Sequence, residues 1–461
     1  SDGNFPAPPR SRPLPTTPPL TQRSSPSIPI TPTHNILRTS VVMEEERSPG
    51  DVIAEKLLCC DADAVAAARL IAEDEEMDLG DLGEHAGVRA GLVRMIASGS
   101  PTAQRWACWA VCSLGRKASA SEALGRTAGF YDALLHCLRA PDDGSNGAHW
   151  VRLAACSALA GLSEALSISN TNAEAMASTP GILEALVSVM DEASHPDTAP
   201  PGDLAVELQD AAAIVLHNAS NLENVALRMV STTGMLRTLK HLALGPRCRF
   251  WGEAGCGEEP ELSRASTNAV CTINNLAKHR AVREEMRREG LLSGFLQLVS
   301  VREALKFKDA RDVGAGEERA VFVAAAMTTA NLCREDQLHQ MLIPEVHLAR
   351  ILHCLRKATA GEPWQGILWG VCDCALPLSA LAQCKQNRAE LASRGAVPVL
   401  LQVCARWLRR HGASPPPGVR TRADTRRAQE LRAVASRDEY DEDDSSSSSY
   451  DEDDDDEDDY H

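Results

Sequence analysis

Apolar residues recur at spacings of three and four through most of the middle of this chain. In RASTNAVCTINNLAKH (264–279), Ala265, Ala269, Ile273 and Leu276 share one face. A period near 3.6 residues marks a helix with one packed side. Comparable long helices are AQRWACWAVCSLG, HWVRLAACSALAGLSEA, ELQDAAAIVLHNAS, ERAVFVAAAMTTANLCRE and WQGILWGVCDCALPLSALAQC, the last broken by Pro377.

Shorter apolar helices alternate with them. They start at Gly87, Gly129, Gly181, Gly234, Gly290, Glu345 and Gly395, at intervals of 42, 52, 53, 56, 55 and 50 residues. Before these starts lie brief segments such as NAEAMASTPG, NVALRMVSTTG, AVREEMRREG and NRAELASRG. Asn172, Asn224 and Asn387 are expected there as N-caps, and the Gly after each segment as a left-handed helix end. The unit is thus short helix, Gly turn, helix, loop, long helix. Units of this length that bury apolar faces only against their neighbours form a solenoid. That replaces the two or three globular domains that 461 residues would otherwise imply.

The long helices end in a recurring motif. NNLA at 274–277 and ANLC at 330–333 resemble the Asn-Leu-Ala ending of armadillo repeats, and HNAS at 217–220 matches in part. The Gly-led second helices fit the same pattern, and the likeness covers about 86–408. The resemblance implies an all-α fold, a right-handed α-solenoid of about six repeats whose long third helices line a concave groove. Residues 51–85 are expected to cap its N-terminal end and 86–411 to form the solenoid.

The motif also raises a chemical question, because Asn is a mediocre helix former. Asn268, Thr272, Asn275 and His279 fall on a face apart from the packed one, so Asn275 is expected on an exposed edge of its helix. Asn218 and Asn331 occupy the same unit position. In armadillo proteins such as importin-α the equivalent amides grip an extended ligand's backbone, and an amide supplies both donors and an acceptor for that task. Carried over, this makes Asn218, Asn275 and Asn331 a ladder of three rungs. Ser113, Gly161 and Ala380 stand where the other rungs would be. The bland alternative is that these amides only stabilise helix ends. The Trp that importin-α carries four residues before each Asn is missing, since those positions read Ile214, Cys271 and Met327. Trp106, Trp109, Trp150 and Trp369 fall near the same meridian and are candidate partner contacts; as fillers between repeats they would do nothing more. A β-catenin-like groove rich in Lys and Arg is not evident. Only Lys117, Lys278 and Arg334 lie near it, which gives no support for an acidic ligand there.

Extra length gathers between the second and third helices, at 141–148, 191–203, 245–260 and 301–318. Insertions at one unit position project from one edge. Phe250 and Trp251 in the 245–260 loop are therefore candidate partner contacts.

Composition and charge complete the picture. The chain is 44% apolar but 4% aromatic, which favours helix on helix. Its 15 cysteines are scattered through helical segments, as free buried thiols are. Residues 1–50 are Pro/Ser-rich and expected to be disordered; Thr17, Ser25, Thr31 and Ser48 each precede Pro. That segment lacks the apolar core of a signal peptide, and without an initial Met the chain is expected to be processed or a fragment. Segment 412–437 is an Arg-rich basic linker, and 438–461 is a disordered tail with 15 acidic and no basic residues. No stretch is long and apolar enough to span a membrane. No nucleotide-binding, metalloprotease or nucleophile-elbow motif appears, so no enzyme, cofactor or metal is expected. The expected function is a non-catalytic scaffold or adaptor, cytoplasmic or nuclear, that binds an extended protein segment and no nucleic acid. Two alternatives remain. One is nuclear transport or histone handling, with the acidic tail on basic proteins. The other is a regulator clamping a folded partner by its loop edge.

Overall fold

The computed structural model describes residues 48–411 except 60, 75–77, 142–145, 165–170, 196–198, 201–202, 246–263, 300–317, 365–366 and 368. The expected disordered ends, the Arg-rich linker, the acidic tail, Phe250 and Trp251 lie outside the described residues.

Two helices, α1 (Pro49–Leu58) and α2 (Asp61–Glu73), open the fold, and six three-helix units follow. The first holds α3 (Leu79–Glu84), α4 (Ala86–Ser98) and α5 (Pro101–Gly115); the second, α6 (Ala118–Gly125), α7 (Phe130–Leu138) and α8 (Asn146–Glu164). The third holds α9 (Thr171–Ser178), α10 (Ile182–Ser194) and α11 (Leu204–Ala219); the fourth, α12 (Glu223–Ser231), α13 (Met235–Leu244) and α14 (Arg264–Lys278). The fifth has a 3-10 turn (Arg280–Val282) before α15 (Arg283–Arg288), α16 (Leu291–Leu298) and α17 (Glu318–Leu332). The sixth holds α18 (Glu335–Leu338), α19 (Glu345–Ala360) and α20 (Val371–Leu381), and α21 (Lys385–Ser393) with α22 (Ala396–His411) closes the array. Long helices pack in a row, α2, α5, α8, α11, α14, α17, α20, while α1, α4, α7, α10, α13 and α16 form a second row behind them. This is an all-α solenoid.

Local chemistry sets the joints. Ser48 and Ser100 cap α1 and α5 by accepting from Asp51 N and Ala103 N, each with Pro at the first helical position. Gly129, Gly181, Gly234, Gly290 and Gly395 enter their helices at φ of 73 to 93°, where a side chain would strain the turn. Gly87 does not follow that expectation. It lies inside α4, and a Cβ there would come within 2.8 Å of Ala54 on α1. Its role is close helix approach, not a left-handed turn.

Polar side chains join unit to unit. Lys240 donates to Glu289 O at 2.6 Å and Arg356 to Arg394 O at 2.9 Å, placing cations on the carbonyl end of the next short helix. Arg287 donates to Leu332 O at 2.6 Å, and Arg283 to Ala277 O at 2.7 Å and Lys278 O at 3.0 Å. The expected N-cap asparagines do something else. Asn172 lies within α9 and donates to Ser121 O and Oγ, 51 residues earlier. Asn387 lies within α21, donates to Met341 O and Leu381 O, and accepts from Ile343 N. Asn224 donates to Glu174 at 2.9 Å. Asn172 and Asn387 are ties between units because, once the short helices stack, the neighbouring unit's carbonyls lie nearer than their own helix's first turn, whereas Asn224 also accepts from Val225 N in its own first turn at 2.9 Å. Replacing the fully buried Asn387 by Ala orphans the Ile343 amide and the Met341 carbonyl, while Leu381 O keeps the Cys384 N–H. The variant should lose about 1–3 kcal/mol in urea denaturation, whereas Asn224→Ala, on the surface, should lose under about 1.

Two histidines make the fold acid-sensitive. His347 is buried, stacks on Phe322 at 5.6 Å, and neither ring nitrogen has a hydrogen-bond partner among the described residues. Burial, aided by Arg350, lowers its pKa to about 4. Burial and Lys278 lower His217 to about 4, against a hydrogen bond that its ring donates to Asn268. Both therefore bind protons more readily in the unfolded chain. Their stabilising effect is whole above the unfolded value, about pH 6.5, and is lost as pH falls through the window down to about 4. Urea midpoints measured between pH 7.5 and 4 should fall steadily, and His347→Phe should flatten that slope.

Candidate functional site

The row of long helices is bent. Lys278 Nζ, at the end of α14, meets Asp373 Oδ2, near the start of α20, at 2.8 Å, although α17 packs between those helices. Helix axes two places apart in a flat row stand about 16–20 Å apart, and an extended Lys and an Asp together reach about 14–15 Å from their axes but must also clear the side chains of α17 between them. The contact closes because the row curves toward this side. The long-helix face is therefore concave where the ion pair crosses it.

The three ladder asparagines lie in this row, Asn218 half-buried and the other two buried, against the expectation of an exposed edge for Asn275. Asn275 is 5% exposed and Asn331 8%. Asn275 Nδ2 donates to Ser220 Oγ at 3.0 Å and more weakly to His217 O at 3.4 Å. Asn218 Nδ2 donates to Ser163 Oγ at 3.0 Å. Both bonds reach back 55 residues to the end of the preceding long helix. These two amides hold one unit's helix end to the next, and Asn268 is tied to His217. Asn331 differs. The position corresponding to Ser163 and Ser220 is Ala277, which has no hydroxyl, and the Asn331 side chain makes no hydrogen bond among the described residues. Along its helix the residues from 320 to 330 and Leu332 are almost fully buried, whereas Asn331 keeps 8% of its surface open.

The tryptophans divide. Trp106 and Trp109 are half-buried on α5, and Trp150 on neighbouring α8 is 37% exposed. Trp106 also faces the guanidinium groups of Arg69 on α2 at 5.2 Å and Arg105 at 5.5 Å, a cation–π arrangement. Trp369 corrects the expectation of a groove residue. It is 7% exposed, precedes α20 instead of lying on it, and donates its indole N–H to Trp364 O at 3.3 Å. The expected long helix does not start until Val371, after Trp364 and Ile367 pair backbone to backbone. Trp369 therefore packs into the core.

The remaining chemistry is quiet. Burial pushes the Cys156 and Cys271 thiols up to about 12. Cys354 and Cys374 touch at 3.5 Å, where burial and that contact raise Cys354 further. Thiols held protonated are poor nucleophiles. Among the described residues no group of three or more His, Cys, Asp and Glu is placed to hold a metal ion, and no helix is long and apolar enough to cross a membrane. What the face offers is indole surface on α5 and α8, one uncommitted amide, and the charges at Lys278 and Asp373. The sequence pattern located Lys278 but not its partner, because periodicity within helices says nothing about residues two units apart.

Truncation separates surface from core tryptophans. Trp369→Ala should cost about 3–5 kcal/mol in chemical denaturation, the scale of a core aromatic deletion. Trp150→Ala should stay within about 1 kcal/mol.

No protein-family profile and no curated protein sequence matches the chain. Among solved structures it is similar to the crystal structure of Uso1-2, at TM-score 0.45 and 14% identity over 81% of this chain and 57% of that one. It is also similar, at TM-score 0.42 and 14% identity, to a chain from "A conserved phosphorylation switch controls the interaction between cadherin and beta-catenin in vitro and in vivo". That overlay covers 83% of this chain and 63% of the other, so this chain spans less than two thirds of either.

Proposed function

We propose that this protein is a non-catalytic scaffold of armadillo type that holds an extended segment of a protein partner along its long-helix face. The observation that carries this reading is the indole surface of Trp106, Trp109 and Trp150 on two adjacent long helices. Trp150 remains 37% exposed. Large rigid aromatics with a polar N–H are favoured anchors for partner chains, and an exposed one has no packing duty to explain it. Asn331 would serve the partner's backbone, having both donors and its acceptor uncommitted. Asn218, Asn275 and Asn268 contribute mainly by shaping the wall, since their amides already serve neighbouring units.

Immobilised full-length chain, wild type against Trp106→Ala/Trp150→Ala, tests this in a lysate capture with circular dichroism to confirm equal folding. Loss of anchor contacts worth about 2 kcal/mol predicts roughly a 30-fold weaker hold on the proteins the wild type retains. Equal capture by both would sink the reading. Capture that survives the substitutions but disappears at about 0.5 M salt would instead assign binding to the charged C-terminal segments.

A further inference from the structure

The charges of the solenoid are separated along its length. Described residues 48–245 hold 13 Lys and Arg against 20 Asp and Glu, while described residues 264–405 hold 14 against 10. The folded part is therefore not uniformly acidic; its first half is acidic and its second half basic.

The basic half has a place already fitted to a carboxylate. Lys278 holds Asp373 at 2.8 Å on the concave side of the row. Around the end of α14, Arg283 and Arg287 use their donors on helix-end carbonyls, yet their charges remain. They crowd enough that burial, with Arg287 and Arg280 nearby, lowers the Arg283 pKa. Glu284 and Glu285 answer Arg287, Arg334 and Arg288 on the short-helix side. Two further features face the same stretch of the row: Asn331, 8% exposed and without a hydrogen bond among the described residues, and Leu376 on α20, left 68% exposed. Together they offer a charge, a backbone-binding amide and an apolar contact.

The segment that matches this chemistry is in the same chain. Residues 438–461 carry 15 acidic side chains with Tyr440, Tyr450 and Tyr460 among them. The stretch 406–437, nine Arg against Asp424 and Glu430, can neutralise about half of that charge and leaves a large surplus. The acidic segment begins 27 residues after His411, the last residue of α22. A tether of that length spans at most about 90 Å and typically about 30 Å. From α22 back to α14 is about three helix spacings, roughly 30 Å. The aromatic surface at α5 and α8 lies farther off and on the acidic half, which repels the segment.

We propose that the acidic segment 438–461 docks in cis on the C-terminal half of the long-helix face, exchanging with Asp373 at Lys278 and covering Asn331 and Leu376. It rests on the reading of this face as the receiver of an extended segment, and adds that the chain supplies one itself. Tethering raises the segment's effective concentration to the millimolar range, so weak contacts suffice, and a partner must displace it from this half.

Zero-length carbodiimide coupling of the full-length chain, followed by peptide mass spectrometry, reads the contact directly, because it joins Lys amines only to carboxylates they already touch. Lys278 should be found linked both to Asp373 and to acidic residues of 438–461. The second link should be several-fold stronger than any from that segment to Lys56 or Lys117 in the acidic half, and should fade at about 0.5 M salt. Asp373→Asn should raise the tail link at Lys278. Since wild type carries the first readout, a variant that fails to fold does not remove the test. Lys278 linked to Asp373 alone, or tail links spread evenly over Lys56 and Lys117, overturns the proposal. Links between isotopically labelled and unlabelled chains in a mixture would overturn docking in cis. None of these outcomes depends on the tryptophan capture result, so either proposal can fail while the other stands.

Discussion

Each unit of this solenoid can bury its apolar surface only against the units before and after it, and its helix ends are subject to the same constraint. A short helix, a turn and two longer helices close no core of their own. Alanine dominates the long helices because small side chains let three successive helices approach closely, as the burial of residues 320–332 on α17 shows. Helix ends brought that near a neighbour exclude water, so their carbonyls must find partners across the joint. Lys240, Arg356 and Arg287 supply cations there, and Asn172, Asn218, Asn275 and Asn387 supply amides. Each bond is worth about 1 kcal/mol net, but leaving one of these groups unpaired costs more than the bond contributes.

The same joints decide what is left for a partner. An amide at the end of a long helix can tie two units or present itself on the face, and a serine 55 residues earlier draws it to the first use. Where that serine is replaced by Ala277, Asn331 is released. Bending of the row brings Lys278 and Asp373 together across α17, so the face is pinched toward its C-terminal end. The exposed indole of Trp150 lies toward the other end. The face is thus divided, one part aromatic within an acidic half, the other charged within a basic half, and the two suit different chemistry along one extended ligand.

Much of the architecture was legible from the chain alone. Helix type, the seven starts, the unit count and the array of neighbour-packed units follow from apolar spacing and the regular distance between long helix and next start, because these depend on contacts within about one unit. Gly129, Gly181, Gly234, Gly290 and Gly395 stand where the pattern puts left-handed turns, a local steric requirement. Misplacements came where a tertiary contact overrode a local rule. Gly87 makes room for Ala54, Asn172 and Asn387 serve the preceding unit instead of their own helix, and Trp369 leaves its helix for the core.

The sequence by itself determined that this chain is a row of helical units, since helix periodicity and turn chemistry are encoded within a few residues of each other. Only the tertiary structure decided which polar groups are spent on holding the row together and which remain for a partner. Burial of Asn275, release of Asn331 and the meeting of Lys278 with Asp373 depend on the curvature and stacking of units dozens of residues apart, and no local pattern carries that distance.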